Sequence, residues 1–253
     1  MPVILITGAT SGFGKAVAER FAKEGYRLIL TGRRKERLDE LSEKLSSSHG
    51  VKVHTLCFDV RHRKETEQQL SQLPADFLPI DILINNAGLA LGFSSIEDGN
   101  TDDWETMIDT NVKGLLYVTR AIAPGMKEKK SGHIFNIGSI AGKETYKNGN
   151  VYCATKHAVD SLTKAMRIDL LPYGIKVTGI CPGAAETEFS LVRYKGDSDR
   201  AKNVYNGFIP LTAEDIAEII WFAASRPAHV CLNDIVITPT AQANAFYTEK
   251  KTE

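Results

Sequence analysis

Four cysteines in 253 residues, Cys57, Cys153, Cys181 and Cys231, form no Cys-x-x-Cys pair and no zinc-type spacing. That excludes a disulfide framework, a thiol redox motif and a metal site from the reading, and the thiols are expected to be free and buried in apolar or helical contexts. Charge of one sign is lacking too. With 31 Lys and Arg against 31 Asp and Glu, nothing favours nucleic acid or an anionic membrane as a partner. No apolar run is long enough to cross a bilayer. The first, Val3-Ile4-Leu5-Ile6, has no basic leader and is too short for a signal peptide, so a cytoplasmic location is expected. With 9 prolines and 20 glycines there is no low-complexity linker. What remains is 43% hydrophobic and 25% charged, a composition and length that suit one α/β domain with a sizeable core.

Short β-branched runs at 3–6, 27–31, 51–58, 80–84, 133–137, 175–181 and 234–238 read as strands. Several are apolar almost throughout, as parallel strands covered on both faces require. Amphipathic stretches at 15–23, 34–45, 64–73, 102–128, 150–171 and 213–224 read as helices between them. This alternation predicts right-handed crossovers and a doubly wound parallel sheet in one domain, residues 1–240. The charged connection 184–208 is long enough to be expected over a site. The tail, 241–253, shows neither period and is expected either to fray or to dock on a neighbouring subunit.

The first strand runs into Thr7-Gly8-Ala9-Thr10-Ser11-Gly12-Phe13-Gly14. Glycines between a strand and a helix let the backbone approach a pyrophosphate, whose charge the helix N-terminus stabilises. The spacing, Gly-x-x-x-Gly-x-Gly, differs from the commoner Gly-x-Gly-x-x-Gly. After the second strand, Thr31-Gly32-Arg33-Arg34 holds no carboxylate until Glu36. An acid there would bind a ribose 2′-hydroxyl, whereas two guanidiniums suit the 2′-phosphate of NADP. Asp59-Val60 and Asn85-Asn86-Ala87-Gly88 follow the third and fourth strands, at the edge where such sheets bind ligands. A carboxylate at Asp59 can accept from the adenine amino group.

Tyr152 and Lys156 lie four apart in the helix predicted over 150–171, hence on one face. A free phenol titrates at about 10. A neighbouring ammonium favours the phenolate and is expected to lower that value towards the range of an acid/base catalyst. Tyr247 and Lys251 repeat the spacing in the charged tail, without a nucleotide-binding start or a serine upstream, and are set aside. His133 and His157 are read as structural.

Together, Thr7 to Gly14, Asp59, Asn85 to Gly88, Asn111, Ser139, Tyr152, Lys156 and Pro182-Gly183 resemble the short-chain dehydrogenase/reductase family over essentially the whole chain. The resemblance implies a single-domain Rossmann fold with seven parallel strands in the order 3-2-1-4-5-6-7. It implies a tetrad in which Tyr152 transfers the proton, Ser139 binds the substrate oxygen, Lys156 holds the ribose, and Asn111 interrupts its helix and anchors a water. It places Gly8, Thr10, Ser11, Gly12, Phe13, Gly14, Arg33, Arg34, Asp59, Val60, Asn86, Ala87, Gly88, Pro182, Gly183 and Thr187 on the cofactor. A homotetramer paired through 102–128 and 150–171 is implied, with Leu115, Val118, Val159, Leu162 and Ala165 at the contact.

Leu89 to Gly92, Trp104 to Asn111, Thr187 to Ser190 and Val192 to Gly196 look like the NADP-dependent 3-hydroxy acid dehydrogenase subgroup. That implies serine, L-allo-threonine and 3-hydroxypropionate/malonic semialdehyde as substrates. For their carboxylate the connection after Pro182-Gly183 offers Arg193, Lys195, Arg200 and Lys202, and Arg193 is expected to take it because residues 189–194 mix apolar side chains that could fold over the nicotinamide. Ala184-Ala185-Glu186 and Lys143-Glu144-Thr145 depart from the subgroup beside the substrate. Two other readings stay open: a carbonyl reductase for bulkier ketones or 3-oxoacyl thioesters, and a non-catalytic NADP sensor, against which the intact tyrosine and lysine speak.

Overall fold

The computed structural model describes residues 1–251; Thr252 and Glu253 lie outside the described residues. Seven strands form one parallel sheet: β1 (Val3–Ile6), β2 (Arg27–Gly32), β3 (Val53–Cys57), β4 (Ile82–Asn85), β5 (Gly132–Ile137), β6 (Ile175–Pro182) and β7 (Asp234–Ile237). Their order is β3-β2-β1-β4-β5-β6-β7. All seven lie where the sequence places them, with shifts of a residue or two at the ends.

Helices α1 (Gly12–Lys23), α2 (Lys35–His49) and α9 (Ala213–Ala224) cover one face of the sheet. There Phe21, Leu38, Ile216 and Ile220 pack against Ile4, Ile6, Leu28 and Leu30, all 1% exposed or less. Each such aliphatic or aromatic side chain, fully buried, contributes about 1.5–3 kcal/mol. The other face takes α3 (Arg63–Ser71), α5 (Leu115–Lys129) and α6 (Asn150–Leu170), through Leu70, Val118, Ile122, Val159 and Met166. Local chemistry sets the ends. Gly50 closes α2 with φ +65, a conformation that costs other residues a clash. Thr212 and Asp215 form a capping box at the start of α9.

Three stretches depart from simple elements. The interruption that the resemblance implies at Asn111 is present: α4 (Thr101–Ile108) passes through a π-helical turn, Asp109–Gly114, before α5 resumes. The connection 184–208 carries two short helices, α7 (Glu188–Arg193) and α8 (Ser198–Asn203). The described part of the tail folds back on its own chain: Gln242 Oε1 accepts from Ala184 N at 2.8 Å, and Glu144 Oε2 accepts from Ala245 N at 3.0 Å. Cys57 departs as well, ending edge strand β3 with an exposed thiol; Cys153 and Cys181 are buried, Cys231 is half-buried, and all four are free.

The centre of the sheet is held by polar groups. Asn85 Nδ2 donates to Thr119 Oγ1 at 2.8 Å and to Asn136 Oδ1 at 2.9 Å, while Asn136 Nδ2 donates to Thr163 Oγ1 at 2.9 Å. This chain ties β4 and β5 to α5 and α6 inside the core. His133 is structural, as expected; it pairs with Thr178 Oγ1 at 2.8 Å, and burial pushes it down to about 3.

Asn136→Leu removes both partners at once and strands polar groups on Asn85 and Thr163, which costs about 1–3 kcal/mol. Urea unfolding of the variant should show a loss of roughly 2 kcal/mol. A loss below about 0.5 kcal/mol would show that the network contributes no stability.

Candidate active site

The strand ends at the carboxyl edge open onto a cavity of about 440 Å³. Its floor at β1 is the glycine turn, with Gly8 at φ +66 and Gly12 at φ +49. Asn86, from the end of β4, shapes that turn: its Nδ2 donates to Thr7 O at 2.9 Å and to Gly8 O at 3.1 Å. Thr7 Oγ1 in return accepts from Asn86 N at 3.0 Å and Ala87 N at 2.9 Å. Gly14 has no room for a side chain, since a Cβ would collide with the Gly8 carbonyl and lie 2.5 Å from Asn86 Nδ2. Ser11 caps α1 without a side-chain bond, and the first turn holds no acidic residue. An anionic pyrophosphate fits such a helix start. Thr10, Ser11, Gly12, Phe13, Ala87 and Gly88 all line the cavity.

At the β2 end, Arg33 and Arg34 line the same cavity. Arg34 lies over the turn: Nε and Nη2 donate to Thr10 Oγ1 at 3.0 and 2.7 Å, and Nη2 to Ser11 Oγ at 2.8 Å. Arg33 extends into solvent, 3.7 Å from Asp59. Asp59 is engaged by Arg61, whose backbone N donates to Oδ1 at 3.0 Å while Nε and Nη2 donate to Oδ2 at 3.0 and 2.7 Å. Burial would raise this carboxyl, but the Arg61 hydrogen bonds and charge hold it below the usual range. Val60 is buried beside it and packs where the π turn comes closest, at Gly114.

The four candidate catalytic residues converge from three elements. Ser139 follows β5; its Oγ accepts from Ala141 N at 3.1 Å and lies 3.4 Å from Pro182 O. Tyr152 and Lys156, 8% and 6% exposed, face inward from α6. Asn111, in the π turn, donates from Nδ2 to Leu89 O at 2.8 Å and to Thr155 Oγ1 at 3.0 Å. Its Oδ1 accepts from Leu89 N at 2.8 Å. The widened turn therefore turns a helix side chain inward to fasten the β4 loop to α6.

Electrostatics correct one expectation. Burial is the largest influence on Tyr152 and pushes the phenol well above its ordinary value; nearby Tyr146 raises it further, while hydrogen bonding to Ser139 and the Arg193 charge pull it down. Lys156 does not dominate, because its Nζ donates to Ile137 O at 2.8 Å and lies 5.9 Å from the Tyr152 ring centre. Burial lowers Lys156 itself to about 8. A buried ammonium with one carbonyl acceptor keeps donors for further oxygens, which ribose hydroxyls would supply.

Helix α7 closes the cavity from above. Thr187 caps it through Oγ1, which accepts from Phe189 N at 3.2 Å, and its side chain would meet a Cβ on Gly12 at 3.4 Å. Phe189 lies over Tyr152, with ring centres 5.6 Å apart. Arg193 enters an aromatic enclosure, its guanidinium carbon 4.9 Å from the Phe93 ring centre, 5.5 Å from Tyr146 and 5.6 Å from Tyr152. Its buried Nε has no hydrogen-bond partner. Pro182 and Gly183 form the opposite wall.

Sequence reading missed Phe93, Tyr146, Glu188 and Gln242, and took in Phe189 only as part of the apolar stretch 189–194. Tyr146 precedes the Tyr152 run and Phe189 follows Thr187, but no spacing marks an aromatic as facing a ligand. No group of three or more potential metal ligands exists among the described residues. None of the described helices is long and apolar enough to cross a membrane.

Comparison with known proteins agrees with this geometry. The family model for short chain dehydrogenase matches residues 2–196. The NADP-dependent 3-hydroxy acid dehydrogenase YdfG of Escherichia coli (strain K12) is 47% identical over 244 residues, 96% of this chain and 97% of the relative. Sulfoacetaldehyde reductase 2 of Chromohalobacter salexigens is 48% identical over 250 residues, 98% of each chain. The closed form of serine dehydrogenase complexed with NADP+ superposes with a TM-score of 0.93 at 46% identity, covering 99% of this chain and 100% of the other. A glycine turn at the floor of the cleft, a buried Tyr-Lys pair beside a serine and these matches have one explanation: the chain belongs to the short-chain dehydrogenase family.

Proposed function

We propose that the protein is an NADP(H)-dependent oxidoreductase acting on the 3-hydroxyl or 3-oxo carbon of small hydroxy acids, such as serine, L-allo-threonine and 3-hydroxypropionate/malonic semialdehyde. The observation that carries this reading is Arg193, caged by Phe93, Tyr146 and Tyr152 with its Nε unpartnered. A half-buried guanidinium with a buried, unpartnered Nε and no carboxylate of its own can take an anion, and it stands beside the phenol that would serve the reacting oxygen. The relatives' names, a 3-hydroxy acid dehydrogenase, a serine dehydrogenase and a sulfoacetaldehyde reductase, all denote small substrates of this kind. The same guanidinium disfavours bulky apolar ketones.

In this reading the nicotinamide supplies or accepts the hydride. Tyr152, held protonated by its buried setting, donates to the carbonyl oxygen during reduction and takes the proton back during oxidation. Ser139 Oγ hydrogen-bonds the same oxygen and stabilises its developing charge. Lys156 offers its free N–H groups to the ribose. Asn111 keeps the Leu89 loop and Thr155 in register, so that the lysine and tyrosine hold their spacing. Gly8 to Gly14 take the pyrophosphate, Asp59 and Val60 border the adenine, and Arg33 and Arg34 take the 2′-phosphate.

A homotetramer in the cytoplasm belongs to the same proposal. Free thiols without a disulfide suit a reducing compartment. Ile108 and Leu116 on α4 and α5, and Ile168 and Leu171 at the end of α6, are exposed and support pairing through these helices. Of the residues expected there, Leu115, Val118 and Val159 are instead spent on the chain's own core, because they point towards the sheet.

Tyr152→Phe should cut turnover roughly a hundredfold or more while NADPH binding, followed by fluorescence, stays near that of the parent. Activity within a few-fold of the parent would remove the phenol from the proton path. Replacing Arg33 and Arg34 by alanine should weaken NADP by roughly ten- to hundredfold and leave NAD almost unaffected. Equal weakening of both cofactors would make the arginines general surface charge. Arg193→Met should raise KM steeply for serine, malonic semialdehyde and sulfoacetaldehyde but spare an uncharged aldehyde. A uniform loss across that panel would overturn the carboxylate role.

A further inference from the structure

The first residue of α7, Glu188, spans the cofactor end of the cleft. Its Oε2 accepts from Arg34 Nη1 at 2.9 Å and its Oε1 from Arg37 Nη1 at 2.7 Å. Burial alone would raise this carboxyl, but hydrogen bonds from both arginines hold it below the usual range. The two arginines differ in placement. Arg34 lines the cavity, whereas Arg37 lies on the exposed side of α2 and does not. Arg37 thus meets neither the cofactor crevice nor the substrate pocket, yet it grips the helix that forms the substrate pocket's roof.

That helix is a rigid link. Glu188 at its start and Arg193 at its end are separated by little more than one turn. Between them, Phe189 lies over Tyr152, and Ser190 Oγ meets Tyr205 OH at 2.7 Å, which in turn donates to Ala185 O at 2.7 Å. Fixing one end of α7 therefore fixes the guanidinium at the other. Two carboxylates, Glu188 and Asp59, stand against Arg33, Arg34, Arg37 and Arg61 and leave excess positive charge for a 2′-phosphate, so the bridge and the phosphate can coexist.

We infer that Arg37 is a positioning residue for the substrate lid, holding α7 closed through Glu188 and thereby placing Arg193 over the substrate from outside both binding pockets. It shares the Glu188 carboxylate with Arg34, which itself lines the cofactor crevice.

The test compares Arg37→Leu, Arg37→Lys and Glu188→Gln with the parent. The kinetic arm rests on the hydroxy acid reading above; the proteolytic arm does not. Trypsin has sites within and after α7, at Arg193, Lys195, Arg200 and Lys202, and cleavage there reports lid opening without any substrate. Because exposed bridges are individually weak, Arg37→Leu and Glu188→Gln should each speed cleavage of this segment by roughly two- to fivefold. Arg37→Lys should restore the parent's rate in large part. With malonic semialdehyde, Arg37→Leu should raise KM by a similar factor while kcat and the NADPH dissociation constant stay close to the parent's. An unchanged cleavage rate in Arg37→Leu would overturn the inference. So would an NADPH affinity that falls as much as KM rises, since Arg37 would then be serving the cofactor directly. If hydroxy acids proved not to be substrates, faster cleavage would still support the lid anchor, and the failure would fall on the substrate reading alone.

Discussion

The burial of Lys156 is the constraint around which the site is organised. An ammonium 6% exposed, with no carboxylate beside it, is costly unless oxygens are supplied at fixed positions. The fold supplies one by ending β5 at Ile137, whose carbonyl accepts from Nζ at 2.8 Å. It holds the lysine there by packing Gly142 against the Lys156 backbone so closely that a Cβ would lie 2.5 Å from its carbonyl oxygen. The Ser139 loop and the catalytic helix are consequently one unit. Moving either would strand the cation, so serine, tyrosine and lysine keep their mutual geometry without direct contacts among all three.

Asn111 extends that unit to the other half of the crevice. A regular helix from 101 to 129 would pass the cleft without sending an amide into it. The π turn over Asp109–Gly114 inserts the extra residue that lets Asn111 reach Leu89 on both backbone groups and Thr155 on the catalytic helix. The local cost of poorer helix geometry is offset by three buried hydrogen bonds. The result joins the β4 end, where Asn86 shapes the glycine turn, to the helix that carries Tyr152. The glycine turn and Tyr152 are thus referred to one frame.

Most of this frame is legible in the residues. The seven strands announce themselves because parallel strands buried on both faces must be apolar throughout. The glycine turn does so because Gly14 admits no side chain. Even the helix break at Asn111 was expected, from its resemblance to a family motif. What could not be read is whatever depends on chain segments meeting after folding. The enclosure of Arg193 draws on Phe93 in one loop and Tyr146 in another, with no spacing rule to join them. The docked tail is similar, since its anchors are isolated bonds: Gln242 Oε1 accepts from Ala184 N, Glu144 Oε2 accepts from Ala245 N, and Lys251 N donates to Gly207 O. The expected effect of Lys156 on Tyr152 is outweighed by burial, because helical spacing brings two side chains to one face but says nothing about how deeply that face is covered.

That outcome bears on how the tyrosine would work. A phenol raised by burial stays protonated near neutrality but is a weaker acid than a free one, so donating its proton in reduction relies on the groups that pull it down. Oxidation asks the reverse, and the groups that pull the phenol down, Ser139 and Arg193, are the ones expected to meet the substrate. A substrate carboxylate neutralising Arg193 would weaken one of those two influences and favour the protonated phenol still more. In the proposed reading, the anion that identifies the substrate and the proton on Tyr152 would therefore be coupled through one guanidinium, 5.6 Å from the ring centre.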